Sequence, residues 1–286
     1  MNTANPQALV ARIRMGMPNL TKREAQVVDV LMGMQDMDES TSIRDVSKAA
    51  EVSDAMVVKI AKKLGFDGFR DIRAGLVEYN RSDSAGLFSE LAPEDSCAEV
   101  VEKVFRTSIQ ALEETRAILD LEAFERAAKL LSAARHRDFY GIGGSAQIAR
   151  DVAHKFLRIG LRTNVHDDVH MMLMSAALLD TSDVVLAFSH SGTTTAVLEP
   201  LQLARRCGAR TIAITNYADS PIASTADIAL CATARGSALL GENAAARIAQ
   251  LNILDALFVA VARHNPDAAE RNLDKTMSAV AGKRHP

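Results

Sequence analysis

From residue 138 to residue 232 the chain alternates between two textures. Short apolar runs, "FYGIG" (139–143), "TNVHD" (163–167), "DVVLAFS" (183–189), "RTIAIT" (210–215) and "DIALCA" (227–232), are separated by segments of helical spacing near 145–159, 169–179, 194–206 and 220–225. This alternation constrains the fold more than any other feature of the sequence. Parallel strands need long crossover connections, and a parallel sheet needs helices on both faces. The stretch 241–264, "GENAAARIAQLNILDALFVAVARH", reads as a long closing helix with an apolar stripe. The expected architecture is an α/β domain built on a parallel sheet.

Two of the runs end alike. In "DFYGIGGSAQIARD" (138–151) and "DVVLAFSHSGTT" (183–194) an apolar strand gives way to Gly, Ser and Thr just before a helical pattern begins. Ligands of open α/β sheets bind at the carboxyl ends of strands. A helix amino terminus there offers unpaired N–H groups and about half a positive charge, which favours an anion. Ser145, Ser189, Ser191 and Thr194 add hydroxyls, and Gly141, Gly143, Gly144 and Gly192 let the backbone approach closely. Small polar groups without Lys or Arg suit a phosphate held by neutral donors. Other phosphate signatures fit less well. In "GIGGSA" the third glycine of a dinucleotide fingerprint is Ala146, and the lysine of a P-loop is absent. Ser191 and His190 are adjacent on a loop tip and point differently, which speaks against a triad with Asp168.

The first eighty residues contain helical patterns and no strand-like run. Thr21 with Glu24 forms a capping box ahead of "KREAQVVDVLMGM", and Ser42 with Asp45 starts "IRDVSKAA". After the joint Glu51-Val52, Ser53 can cap "DAMVVKIAKKLG", closed by Gly65. Two short helices at so tight a turn form a helix-turn-helix pattern. On a helical wheel Val57, Ile60, Ala61 and Leu64 share one face, while Ala55, Lys59 and Lys62 lie opposite with Lys63 on the flank. In a DNA-reading module the amino end of the second helix enters the major groove. Ser53, Asp54, Ala55 and Met56 are therefore candidates for base contact, and Lys59, Lys62 and Lys63 for phosphate contact. The first eighty residues hold 11 Lys/Arg against 11 Asp/Glu, whereas 55–75 holds five cations and two carboxylates, a local +3. A neutral domain with one basic patch fits a specific nucleic-acid contact. The same pattern also serves as plain scaffold.

Resemblance decides between these readings. "SIRDVSKAAEVSDAMVVKIAKKLGFDGFRDIR" resembles the DNA-binding domain of the RpiR family of bacterial transcriptional regulators, through Val52-Ser53, Val57, Lys62-Lys63-Leu64-Gly65-Phe66 and Gly68-Phe69. It departs at Met56, where the family usually has Thr or Ser, at Lys59, where Arg is usual, and at Glu51, where a turn Gly is common. The first two departures touch the groove face and so bear on the operator sequence. "YGIGGSA" followed by "SHSGTT" resembles the sugar isomerase (SIS) domain, a five-stranded parallel sheet flanked by helices that binds phosphosugars. By that likeness Ser145, Ser189, Ser191 and Thr194, with Gly143, Gly144 and Gly192, would hold a sugar phosphate. An all-α helix-turn-helix domain followed by an α/β SIS domain is the RpiR layout. The expected boundaries are 1–79 for the DNA-binding domain, 80–96 for a Ser-, Asp-, Gly- and Pro-rich linker, and 97–286 for the SIS domain with flanking helices.

SIS domains occur in isomerases as well as regulators. Isomerisation needs a positioned base, and Glu242 stands where the family's closing helix begins. Glu242 also suits a hydroxyl acceptor or a first-turn carboxylate, and His170 a helix cap or a ligand contact. Asp167, Asp168, Thr215 and Asn216 are further candidates for the pocket rim. The attached DNA reader argues for a sensor without turnover, a phosphosugar isomerase being the alternative. Family habit implies repression. Cys97, Cys207 and Cys231 are far apart and lack metal-type spacing, so neither metal nor cofactor is expected. The chain start lacks an apolar signal core and no apolar run reaches membrane-span length, which suits a cytoplasmic protein. The apolar stripes at 100–131 and 248–261, and the few base pairs that one helix-turn-helix can read, suggest a dimer or tetramer on a palindromic duplex.

Overall fold

The computed structural model describes residues 5–81, 91–234 and 244–283, and the chain divides into two compact units. The first comprises residues up to Ile118 together with Thr233–Ala246. Its helices are α1 (Pro6–Gly16), α2 (Lys22–Gly33), α3 (Ile43–Ala49), α4 (Asp54–Lys63), α5 (Phe69–Arg81) and α6 (Cys97–Ile118). The capping boxes of Thr21 with Glu24 and of Ser42 with Asp45 form as the spacing predicts, and Ser53 caps α4 by accepting from the Met56 amide. Val57, Ile60, Ala61 and Leu64 are buried among Val27, Leu31, Val46 and Ile72. The α3–α4 joint needs a left-handed residue, supplied by Glu51 at φ 53°. That is the position where a glycine would carry no steric cost. Cys97–Ile118, expected to flank the sheet domain, packs against α1 in this unit.

The second unit comprises Leu119–Ala232 and Arg247–Pro286. After α7 (Leu121–Ala133) come β1 (Arg137–Gly141), α8 (Gly144–Arg158), β2 (Asn164–His166), α9 (Val169–Ala176), β3 (Val184–Phe188), α10 (Thr195–Arg206), β4 (Arg210–Thr215), α11 (Pro221–Thr225) and β5 (Ile228–Cys231). The closing helices are α12 (Ala244–Ala262), whose first turn belongs to the first unit, and α13 (Pro266–Ala281). All five strands are parallel, in the order β2-β1-β3-β4-β5. Every residue of β1 and β3 is buried, which is why β3 reads as an unbroken apolar run; β1 also buries Arg137 and Asp138. Tyr140, Val185, Ala187 and Ala213 pack with Met172 and Ala176 of α9, Val197 and Leu201 of α10 and Ile222 of α11. On α8, Phe156 meets Phe139 edge-on, and its ring also lies 6.3 Å from that of Phe258 on α12. By length and composition α12 could cross a membrane, yet Ile253, Leu254, Leu257 and Val261 are buried within the protein.

This strand order has one topological switch point. From β1 the chain crosses to β2 on one side, while β3 and β4 extend the sheet on the other. In doubly wound sheets the crevice for a ligand opens at that point, beyond the carboxyl ends of the strands.

Candidate functional site

The two Gly/Ser loops leave the sheet side by side at the switch point. Gly141, the last residue of β1, is in register with Phe188, the last of β3. Each loop then enters a helix, and these two helices begin unlike their neighbours. The amino ends of α1, α2, α3, α4, α7, α9, α11 and α13 each carry a side chain that accepts from the first turn. α8 starts at Gly143 and α10 at Thr194, and neither has a side-chain cap. Two adjacent helix starts thus lack a side-chain cap at their positive ends.

The hydroxyls predicted to line this place divide into two groups. Ser145, in the first turn of α8, is half-buried, whereas Ser191 and Thr194 are exposed. Ser189 is buried. Its hydroxyl accepts from the Gly192 amide at 3.1 Å and donates to Thr194 Oγ1 at 3.2 Å. It holds the loop and orients Thr194 rather than opening outward. Gly192 sits at φ 67°, and a Cβ on it would lie 2.2 Å from Ser220 Oγ. Gly143, at φ 59° and ψ −124°, has open space around it. The second loop is braced from β4: the Asn216 amide and the Thr215 hydroxyl both donate to the His190 carbonyl, at 3.1 and 3.3 Å. Asn216 Oδ1 also accepts from Gln250 at 2.9 Å.

Several rim candidates have partners within the protein. Thr215 and Asn216 are buried and brace the second loop. Asp168 caps α9 by accepting from the Met171 amide, so His170, exposed in the first turn, is not the cap. Asp167 pairs with Arg150. His166, the last residue of β2, sits 3.5 Å from Asp138. Burial opposes the charge on Asp138, but hydrogen bonds with His166, Ser175 and Asn164 outweigh it and hold the carboxyl below its ordinary range. Glu242 lies outside the described residues.

A cation also stands near the cradle, contrary to the expectation of neutral donors alone. Arg247, near the amino end of α12, places its guanidinium 4.0 Å from where a Cβ on Gly144 would lie. Among the described residues it forms no ion pair. Nothing in the local sequence around Gly144 could have signalled it, since the two are joined only by the fold.

In the first unit, Ser53, Ala55, Lys59 and Lys62 are exposed along one side of α4. Asp54 and Met56 are partly withdrawn. The Asp54 carboxylate accepts from Ser47 at 2.5 Å, and Met56 packs against the core. Lys63 is paired at 2.8 Å, and Lys59 at 3.5 Å, with Glu24, whose side chain is nearly buried. Hydrogen bonds from Lys63 and from the Thr21 amide draw the Glu24 pKa down to about 2. Lys62 makes no such pair among the described residues, so the three lysines are not equivalent.

A sequence model of the "Helix-turn-helix domain, rpiR family" matches residues 7–83, and one of the SIS domain matches 130–260. The HTH-type transcriptional regulator RpiR of Escherichia coli K12 is 43% identical over 276 residues, covering 96% of this chain and 93% of that protein. The chain belongs to the RpiR family of transcriptional regulators. Family members from other bacteria are named in the same terms, among them an uncharacterized HTH-type transcriptional regulator of Haemophilus influenzae, 30% identical over 93% of this chain and 94% of its own length. The fold is also met in solved structures. NanR of Vibrio vulnificus, complexed with ManNAc-6P, superposes with a TM-score of 0.62 at 23% identity, covering 97% of this chain and all of that one. The sugar isomerase domain of an RpiR transcription factor from Sphaerobacter thermophilus has a TM-score of 0.57 at 26% identity, covering 61% of this chain and 96% of that one. The protein is therefore an RpiR-type helix-turn-helix regulator carrying an SIS domain.

Proposed function

We propose that this regulator is a repressor of sugar-metabolism genes whose DNA affinity is set by a phosphorylated sugar bound at the β1/β3 switch point. The observation that carries the reading is the pair of uncapped helix starts on neighbouring strand ends, with Ser145, Ser191 and Thr194 beside them. A phosphate there would accept from main-chain amides of α8 and α10 and from these hydroxyls. Gly143, Gly144 and Gly192 would allow the close approach, Ser189 would fix Thr194, and Arg247 would supply countercharge. His170 and Glu242 are assigned to the sugar hydroxyls. NanR, which shares the fold, was solved in complex with ManNAc-6P, and that supports the ligand class.

The α4 residues Ser53, Asp54, Ala55 and Met56 are assigned to base edges, and Lys59, Lys62 and Lys63 to phosphates. Because one such module reads only a few base pairs, the regulator is assigned as a dimer, or a pair of dimers, on a palindrome. A thermal-melt panel tests the ligand site: hexose and pentose phosphates, the parent sugars and inorganic phosphate, each added to the full chain. A phosphosugar at 100 times its Kd should stabilise by ~2.7 kcal/mol, a shift of roughly 5–11 °C for a chain of this size. The parent sugar should leave the melt unchanged. No shift with any phosphosugar would defeat the proposal, and interconversion of the sugars seen by NMR would replace it with isomerase activity.

A further inference from the structure

α6 buries the wrong side of itself. Its buried residues are Gln110, Ala111, Glu114 and Thr115, three of them polar, while Val101, Phe105 and Ile109 are exposed. Burying a carboxylate and an amide costs free energy unless both are fully bonded. Here they are bonded to two different parts of the first unit.

On one side the partners belong to the DNA-reading helices. The Glu114 carboxylate pairs with Arg14 of α1, and Gln110 Nε2 donates to Glu114 at 2.8 Å and to the Tyr79 hydroxyl of α5. α1 is keyed in turn to the carboxyl end of α4. Arg12 donates to the Gly65 carbonyl at 2.8 Å, its guanidinium lies 4.9 Å above the Phe66 ring, and Gly16 is packed so closely that a Cβ would come within 2.7 Å of Leu64. On the other side Thr115 grips a single residue. Its hydroxyl accepts from the Thr233 amide at 2.9 Å and donates to the Thr233 carbonyl at 3.2 Å. Thr233 is two residues beyond the end of β5, a strand of the sheet whose carboxyl ends carry the two loops.

We propose that α6 is the transmission element of this regulator: Thr115 reads the chain leaving β5, and Glu114 with Gln110 passes a displacement through α1 to α4. The inference rests on the proposed phosphosugar response, because only a ligand at the strand ends would give Thr233 two positions. The physical reason to choose this face is its bistability. Apolar contacts slide, whereas a buried ion pair and a reciprocal hydroxyl–peptide clamp are either made or broken. Gln110, Glu114 and Thr115 lie within six residues near the carboxyl end of α6, so this short stretch carries both sets of contacts and moves as one body.

Native-state hydrogen exchange on the full chain tests the link without ligand or DNA. Thr115→Val keeps the side-chain shape and removes both clamp bonds. It should speed exchange at least tenfold at Thr233, in α1 and at Leu64–Phe66, with the amides of β3 unchanged as an internal control. Thr115→Ser should restore protection to within twofold. Coupling is reciprocal, so Arg14→Met at the far end should speed exchange at Thr233 by a similar factor. If faster exchange stays confined to the neighbourhood of each substitution, α6 is a bracket and not a transmitter. The melt panel decides separately whether a phosphosugar binds. Failure there removes the ligand reading, while the exchange data still report whether Thr233 and α1 are coupled through the 110–115 stretch of α6.

Discussion

Replacing Gly192 by Ala tests the geometry of the second loop. Two costs can be read from the structure. A left-handed φ of 67° costs an L-residue about 1–2 kcal/mol. The new Cβ would also lie 2.2 Å from Ser220 Oγ, 2.3 Å from Ser220 Cβ and 3.0 Å from Thr215 Oγ1. Ser220 and Thr215 are both buried, so the overlap is an overpacking event of about 1–3 kcal/mol. Against this, Ala restricts the unfolded chain and returns about 0.4–1 kcal/mol. The net loss centres on about 3 kcal/mol, a fall in Tm of roughly 6–12 °C. The double variant Gly192→Ala/Ser220→Gly removes the two Ser220 contacts and leaves that of Thr215 Oγ1 at 3.0 Å, while Gly at a helix N-cap costs only a few tenths of a kcal/mol. It should recover about 2 kcal/mol of the loss. A Gly192→Ala protein that melts like the parent, or a double variant that recovers nothing, would refute the argument that Ser220 and Gly192 are packed back to back.

Glu51→Gly should stabilise the helix-turn-helix unit by ~0.5–1 kcal/mol, because the left-handed joint at φ 53° then bears no Cβ, and chemical denaturation would measure it. Glu114 has its pKa pushed up from 4.5 to about 7 by complete burial, only partly opposed by Arg14. A folded pKa above the unfolded one means stability that is full below about pH 4.5 and lost as pH rises through about 7. Glu114→Gln should therefore flatten the decline of Tm across that interval, and an unchanged slope would exclude Glu114 as its source. Lys62→Ala should lower the slope of log K against log salt for nonspecific duplex DNA by about 0.9. Lys63→Ala should lower it by less, since Glu24 already holds that cation at 2.8 Å.

Much of this was legible in the sequence for physical reasons. The central strands are buried on both faces, so Val184–Phe188 could only read as an apolar run, and the capping boxes at Thr21 and Ser42 announce their helices in four residues. What was illegible depends on tertiary contacts. α13 hides because it buries little but Ala269, although Asn265-Pro266 marks its start; it docks through Asn272 and Thr276 onto carbonyls at the end of α8. Four hydroxyls in a row of loops look alike in sequence. Only the left-handed turn at Gly192 shows that Ser189 faces inward. Likewise the Glu24–Lys63 pair, the Arg247 approach to Gly144 and the Thr115–Thr233 clamp each join residues separated by tens of positions, where no local pattern reaches.

The uncapped starts of α8 and α10 also have an energetic meaning. Losing an N-cap costs about 0.5–2 kcal/mol, and this chain places caps on so many of its other helices that their omission at two adjacent ends is not a shortage of Ser, Thr, Asp or Asn. At α10 a Thr occupies the capping position, yet its hydroxyl is turned to Ser189 instead of the helix. Without a ligand the second unit thus lacks interactions that an anion at the switch point would supply. The binding free energy of that anion would include the missing caps. It would tighten the strand ends of β1 and β3, and through the sheet it could alter the exit of β5 at Thr233. A neutral sugar hydroxyl can accept from one amide but brings no charge to two adjacent positive helix ends, so a regulator built in this way should favour the phosphorylated sugar strongly over the parent sugar even where the pocket accepts both shapes.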